Sequence, residues 1–413
     1  MKILMVNKYY FIKGGSERYY FELTKILEKH GHQVIPFSMI HPNNFRSVYS
    51  SYFVDNIEFN LNSYKDKVVN GFQIVNRVLY SIQAKERIAK LINKVKPDIV
   101  HLHMIDHQIS PSILHSIKKH GIPVLQTAHQ SKIICPNYRM YNWSKNQICE
   151  KCLGGHFYHP IIEKCHKNSR MAGLLISFEA YLHSWIKIYK NNIDLYHVPS
   201  KFMGEKFIQA GVDPEKVKHI FYTINIDDYP PRFENENYFV YYGRLEAAKG
   251  LKTLLKAMAS VKKSKLLLIG TGEERENLEA FSRNLQLNNV EFLGYQAGKK
   301  LQKLVANAKF VIIPSECYDN SPLVVYESFC LGKPVIGAKI GGIPELIDHG
   351  VNGFHFEAGN YLDLAGCINS LLNNSSRTKQ FGRNARRKAE LQFSPEIHYN
   401  KVMKIYHSIG KKK

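Results

Sequence analysis

The stretch PSECYDNSPLVVYESFCLGKPVIG, residues 314–337, sets Asp319 in a loop and Glu327 eight residues later, inside the apolar run LVVYE. A carboxylate in apolar surroundings is costly without a partner. Carboxylates accept hydrogen bonds from vicinal hydroxyls, such as those of ribose or a hexose. The helix macrodipole also favours an acid near a helix start, and Pro322 suits the first turn. Those local causes explain Glu327 less well, because it lies past the start and before SFCLG. GRLEAAKG, residues 243–250, places Arg244 and Lys249 in a loop between a strand and a helix. Two cations converging there would compensate the charge that a diphosphate gathers as it leaves; the alternative is two solvated surface cations. Gly341, Gly342 and Glu345 follow the next strand on the same edge.

Gly14–Gly15 stand ahead of a helix, where glycine lets the backbone approach a ligand and free N–H groups favour phosphate; an ordinary turn fits equally. LLLIGTGEE, residues 266–274, gives a second glycine turn at Gly270. His103 and His129 end two strands, where a histidine either meets substrate or satisfies a backbone carbonyl. Cys135, Cys149, Cys152 and Cys165 are spaced C-x13-C-x2-C-x12-C. That pattern suits a structural zinc knuckle, with His156, His159 and His166 nearby as substitutes. Free or partly buried thiols, a disulfide and a redox role are the competing readings.

The elements that must carry these residues alternate strand and helix in both halves of the chain, which argues parallel sheets with crossover helices. Strands are expected at 2–7, 98–103, 122–128, 194–200 and 217–224, then, after the polar, proline-paired DYPPRFENENY, at 238–243 and onward to KPVIGA. The chemistry-bearing residues fall at strand exits, the edge where open α/β sheets bind ligands. The expected organisation is a first α/β domain over 1–228 with a Cys-rich insert at about 131–169, a second over 229–394, and a crossover helix with a basic tail over 395–413. The simplest architecture faces the two domains across a ligand cleft. In 170–190, Leu174, Phe178, Tyr181, Trp185 and Tyr189 are expected to share one helix face. That face either packs in the core or meets a membrane or acceptor, since its ends are basic.

With 57 Lys and Arg against 35 Asp and Glu, the net charge of +22 attracts anions. No helix-turn-helix, finger or RNP pattern supports nucleic acid as the partner. The apolar start MKILMVNKYYF is too short for a signal peptide, and seven cysteines in a long chain fit a reducing compartment, so the reading is cytoplasmic.

Together these segments resemble a retaining glycosyltransferase of family 4, the "glycosyl transferases group 1" set, of the bacterial polysaccharide-biosynthesis type. GGSERY, GRLEAAKG, LLLIGTGEE, NVEFLG, the 314–337 stretch and GGIPELIDHGVNG carry the resemblance, which spans nearly the whole chain. It implies a GT-B fold: two facing Rossmann-like domains, with the final helix crossing back onto the first. By that resemblance the donor is a nucleotide-diphosphate sugar of UDP or GDP type, bound mainly to the second domain. Arg244 and Lys249 would hold its diphosphate, Glu327 its ribose and Asp319 the transferred sugar. Asn320, Ser321, Pro322, Leu323 and Gly270 would line the donor site, with Phe292 and Leu293 near the base. Gly14 and Gly15 would close over the phosphates, and His129 would contact the sugar and support transfer. Here the first acid of the family's E-x7-E pattern is Asp319, one methylene shorter, and the family's HD reads HQ at 129–130.

The implied reaction is retaining, with attack and departure on one face. It needs no metal at the donor, since cations and helix ends supply the positive charge and no DxD motif is present. The acceptor would be a glycan or a lipid-linked sugar, in surface polysaccharide or lipopolysaccharide assembly, with peripheral contact to an anionic membrane. A non-catalytic sugar-nucleotide or glycan-binding protein on the same scaffold is the alternative; it would have little use for His129.

Overall fold

The computed structural model describes residues 1–56, 75 and 77–410. They form two compact units, one from 1–145, 149–220 and the stretch from His398, the other from 221–397 with 146–148.

In the first unit six strands form one all-parallel sheet: β1 (Lys2–Val6), β2 (Gln33–Phe37), β3 (Ile99–Leu102), β4 (Val124–Thr127), β5 (Leu195–Val198) and β6 (Val217–His219), in the order β2-β1-β3-β4-β5-β6. Covered on both faces, β1 reads as an unbroken apolar run, Ile3–Val6, rather than an alternating one. Around it lie α1 (Gly15–Lys29), α2 (Ile82–Val95), α3 (Ile113–Lys119), α4 (His159–Glu163), α5 (Arg170–Trp185), α6 (Ile188–Asn192) and α7 (Lys201–Gln209). Serine caps start three of them: Ser81, Ser169 and Ser200 each accept a backbone N–H of the first turn.

The second unit repeats the plan with β7 (Tyr238–Tyr242), β8 (Lys265–Ile269), β9 (Val290–Gly294), β10 (Val311–Ile313), β11 (Val335–Ala338) and β12 (Gly353–Phe356), in the order β9-β8-β7-β10-β11-β12, again all parallel. Its helices are α8 (Leu251–Met258), α9 (Arg275–Asn284), α10 (Gly298–Asn307), α11 (Leu323–Cys330), α12 (Ile343–Leu346), α13 (Tyr361–Leu372) and α14 (Ser375–Gln392). The core joins Phe239, Leu254, Leu266, Phe310, Ile336 and Ile368. The last helix, α15 (Pro395–Gly410), belongs from His398 onward to the first unit.

Three local readings change. The strand expected over 217–224 stops at His219. The short strand β12, GFHF, carries no alternation that would have marked it. The expected helix over 170–190 breaks at Lys187, whose φ of 49° is left-handed, so Tyr189 belongs to α6 and packs edge-on against His183.

Candidate active site

In the second unit the strand order reverses between β7 and β10, the position where open α/β sheets make their ligand crevice. The loop leaving β7 carries Arg244 and Lys249; the loop leaving β10 carries Asp319 and leads into α11 with Glu327. Lys249 Nζ lies 2.5 Å from Asp319 Oδ1, and Ser315 Oγ donates to Asp319 Oδ2 at 2.5 Å. Burial works against the Lys249 charge, but Asp319 outweighs it and the ammonium pKa is raised. Arg244 is mostly exposed and pairs with Glu246 at 2.6 Å. Glu327 is buried. Its neighbour is Tyr242, whose phenol is held neutral first by burial and then by the Glu327 charge.

The glycines here serve the loops first. A Cβ on Gly270 would stand 1.8 Å from the Gly243 carbonyl oxygen, and its φ of 142° excludes most side chains. Gly341, at φ 59°, presses on the Asp319 backbone, and Gly342 N–H donates to the Asp319 carbonyl at 2.8 Å. The exits of β10 and β11 are thereby fastened around Asp319. Ser321 Oγ and Tyr326 Oη are 2.6 Å apart, and Pro322 sits one place before the first helical residue, Leu323. Leu293 falls where the β8–β9 register slips, and its carbonyl accepts from Gln296; Phe292 packs against the core.

In the first unit His129 follows β4 and His103 follows β3. Their Nε2 and Nδ1 atoms are 2.9 Å apart and the rings stack. Burial, then His197, pulls the His129 pKa down to about 3, so the ring is neutral near pH 7. The other nitrogen of His103 finds no hydrogen-bond partner among the described residues. Both rings line a cavity of about 10 Å³, together with Asp106, Gln126, Gln130 and Lys132; it has room for one water-sized group. Beneath lies a hydrogen-bonded series. Tyr406 Oη meets His101 Nδ1 at 2.7 Å, His101 Nε2 meets Thr127 Oγ1 at 2.7 Å, Thr127 Oγ1 meets His197 Nδ1 at 2.9 Å, and His197 Nε2 meets the Ile220 carbonyl at 2.8 Å. Tyr19 Oη lies 2.9 Å from His398 Nε2. A larger cavity, about 790 Å³, lies at the opposite end of the strands, beside Met1, Asp98 and Pro123, and meets the hydrogen-bonded series only at Tyr406.

Gly14 and Gly15 are exposed at the start of α1, as expected, with Gly14 in the N-cap position. The buried Glu17 already places a carboxylate in that first turn. In the insert, Cys135, Cys152 and Cys165 are buried and Cys149 is half-buried, all as free thiols. Burial raises the pKa of Cys165 to about 11, with the charges of Cys135 and Cys149 adding to it. Among the described residues no three His, Cys, Asp or Glu are arranged to hold a metal ion, so the zinc expectation finds no fit in the structure. The loop is tied instead by Asn137, which donates to the Tyr141 and Cys165 carbonyls, and by Glu163, which accepts from Asn142, Lys145 and Lys151. Sequence reasoning missed Ser315, Tyr242 and the histidine series. Ser315 and Tyr242 had a signal, since both adjoin strand exits; the imidazole series had none, because its members come from five separated segments.

A family model described as Glycosyltransferase Family 4 matches residues 13–228, and one described as Glycosyl transferases group 1 matches 224–388. N-acetyl-alpha-D-glucosaminyl L-malate synthase of Bacillus anthracis is 23% identical over 403 residues, covering 96% of this chain and 94% of that protein. A glycosyltransferase from Rickettsia africae superposes with a TM-score of 0.70 at 21% identity, covering 100% of this chain and 99% of that one. Anabaena HepE, solved with UDP and glucose, superposes with a TM-score of 0.67 at 19% identity, covering 99% and 100%. The shared architecture is the GT-B fold of two Rossmann-like units. With one family model matching over half of its length, this chain belongs to glycosyltransferase family 4.

Proposed function

We propose that this glycosyltransferase moves a sugar from a nucleotide-diphosphate donor, of UDP or GDP type, to a hydroxyl of a glycan or lipid-linked acceptor, with retention of configuration. The reaction would serve surface polysaccharide assembly in the cytoplasm, at the inner face of the cell membrane. The observation that carries the reading is the crevice of the second unit, where Lys249 and Asp319 pair beside Arg244 and the buried Glu327. The HepE complex with UDP and glucose supports the donor class.

Arg244 and Lys249 meet the charge that develops on the leaving diphosphate, an electrostatic contribution that is large where water is excluded. Glu327, buried and acceptor-only, takes hydrogen bonds from the ribose hydroxyls; Asp319 takes one from the transferred sugar. Asn320, Ser321, Pro322, Leu323 and Gly270 wall the donor, and Phe292 and Leu293 flank its base. By the family resemblance, Gly14 and Gly15 contact the phosphates. Neutral His129 hydrogen-bonds the sugar. The anomeric carbon–oxygen bond to the phosphate breaks, the acceptor oxygen bonds to that carbon from the same face, and the acceptor proton passes to the departing phosphate oxygen. Asp319 is a poor nucleophile for a double displacement, because Lys249 and Ser315 already engage both its oxygens. These groups provide the compensating charge at the donor without calling on a metal.

A thermal-shift screen of nucleotide sugars identifies the donor, since a ligand that prefers the folded state raises its stability. Hydrolysis of that donor without acceptor is then compared with a His129→Ala variant. Turnover above background that falls in the variant supports the enzyme; equal background in both supports a non-catalytic binder. The zinc expectation for Cys135, Cys149, Cys152 and Cys165 stands apart from this chemistry. About one zinc per chain, in protein purified without chelating resin, would reinstate it, and a substoichiometric value would remove it without touching the transferase reading.

A further inference from the structure

Helix α5 carries a mixed buried side and an apolar exposed side. The buried side, with Gly173, Ile176, Ser177, Glu179 and His183, faces the interior of the first unit. On the other, Met171, Leu174, Phe178 and Trp185 follow one another at helical spacing and are 73%, 49%, 48% and 70% exposed. The Tyr181 and Trp185 rings stack along this side with centroids 5.9 Å apart. Helix α4, packed against α5, exposes Ile162 at 63%. The two helices are locked together, for a Cβ on Gly173 would stand 2.4 Å from the Pro160 carbonyl oxygen. A contiguous exposed apolar surface marks a contact with something else.

The charges around this surface indicate what. Exposed Lys164, Lys167 and Arg170 lie at its N-terminal end and exposed Lys187 and Lys190 at its C-terminal end. The one carboxylate between residues 164 and 190 is Glu179, which is buried on the other side against Lys132. An apolar, aromatic strip framed by cations and free of exposed acids matches an anionic lipid surface, where side chains enter the acyl boundary and lysines stay at the headgroups. No helix among the described residues is long and apolar enough to cross a membrane, so the contact would be peripheral.

We propose that the exposed face of α5, with Ile162 of α4, is the surface by which the protein docks on an anionic membrane, Trp185 and Phe178 inserting and the flanking lysines and arginine binding headgroups. This rests on the membrane location proposed for the reaction, but not on the reaction itself. It gives the Cys-rich insert a purpose: the insert builds α4 and braces α5 against a flat partner.

The full chain is tested with vesicles of phosphatidylcholine alone and of phosphatidylcholine mixed with phosphatidylglycerol. The chain holds two tryptophans, so a Trp143→Phe background leaves Trp185 as the single reporter. Cosedimentation with the mixed vesicles, a blue shift of Trp185 emission, and weakening with added salt are the expected results. A Met171→Gln/Phe178→Gln double variant, exposed at both positions and outside the donor site, should bind about tenfold more weakly with unchanged melting temperature and donor hydrolysis. An Arg170→Glu/Lys187→Glu variant should lose the preference for phosphatidylglycerol. Protein that stays in the supernatant with both vesicles overturns the proposal. So does a Trp185 shift that follows protein concentration rather than lipid, which would assign the face to a second copy. Transfer to a water-soluble acceptor, assayed on the same preparations, separates the two readings. Turnover without docking removes only the membrane face, and docking without turnover removes only the enzymatic reading.

Discussion

On the proposed reaction Lys249 is the charge that acts on the leaving phosphate; Asp319 holds it protonated and Ser315 holds Asp319. Lys249→Ala should lower kcat/KM for the donor by about 10²–10³, and Lys249→Arg should recover little of it, because a planar fork does not replace a point charge in that space. Glu327→Gln keeps the shape and removes the acceptor-only carboxylate; the donor KM should rise about tenfold, with a smaller change in kcat. On the proposed reaction His103 positions His129, whose Nε2 lies 2.9 Å from its Nδ1. With His103→Ala, kcat should fall about tenfold at unchanged donor KM, and His103→Asn should restore part of it by offering a hydrogen-bonding atom again. Steady-state kinetics on each variant separates these outcomes, and a His103→Ala enzyme with wild-type kcat would leave the imidazole pair merely structural. Arg244, Lys249, Asp319 and Glu327 were legible in the sequence because charge in an apolar or loop context demands a reason. Their pairing was not, since Lys249 and Asp319 are seventy residues apart.

At the scale of elements, most strands and helices could be read from apolar runs punctuated by glycine and proline, as β1 and β3 show within the strands expected over 2–7 and 98–103. The misreadings share a cause: short-range pattern does not report where tertiary contact ends an element. The apolar residues of IFYTI continue the pattern of β6 but leave the sheet, and Lys187 breaks a helix with no glycine or proline to announce it. Glycine at strand exits was legible as a requirement but not as to its object. At Gly270 the object is a neighbouring carbonyl, so Gly270→Ala should destabilise the second unit by about 2–3 kcal/mol through clash and an unfavourable φ. Denaturant unfolding would register that loss; a change below about 0.5 kcal/mol would show that the β7 and β8 exits can separate at little cost.

Across the whole molecule, buried neutral imidazoles make the first unit sensitive to acid. His101 and His103 lie well below the ordinary histidine pKa through burial and then neighbouring imidazoles, His129 lies at about 3, and His183, His197 and His219 lie at about 4. Each would take up a proton near pH 6.5 once unfolded, so between about 4 and 6.5 the unfolded chain binds more protons and stability rises with pH. The contribution is complete above about pH 6.5 and is lost as pH falls toward 4. Both tryptophans, Trp143 and Trp185, belong to the first unit. Tryptophan-detected melting at constant ionic strength should therefore show a steep fall over that window, and a flat profile would mean that the rings are hydrated.

The Ile220 carbonyl can only accept, so His197 carries its proton on Nε2 and receives one at Nδ1, where Thr127 at 2.9 Å stands closer than Tyr19 at 3.4 Å. Thr127 must then receive from His101, and His101 from the hydroxyl of Tyr406. One carbonyl thus dictates the tautomer of every ring in the row, and the last donor comes from the closing helix of the polypeptide. Losing the residues beyond His398 would strip away a proton source as well as apolar cover, leaving His101 free to turn over beneath the imidazole pair. A nick or a bulky fusion at that end should therefore register first as altered ring protonation in the N-terminal sheet, before any loss of the sheet itself.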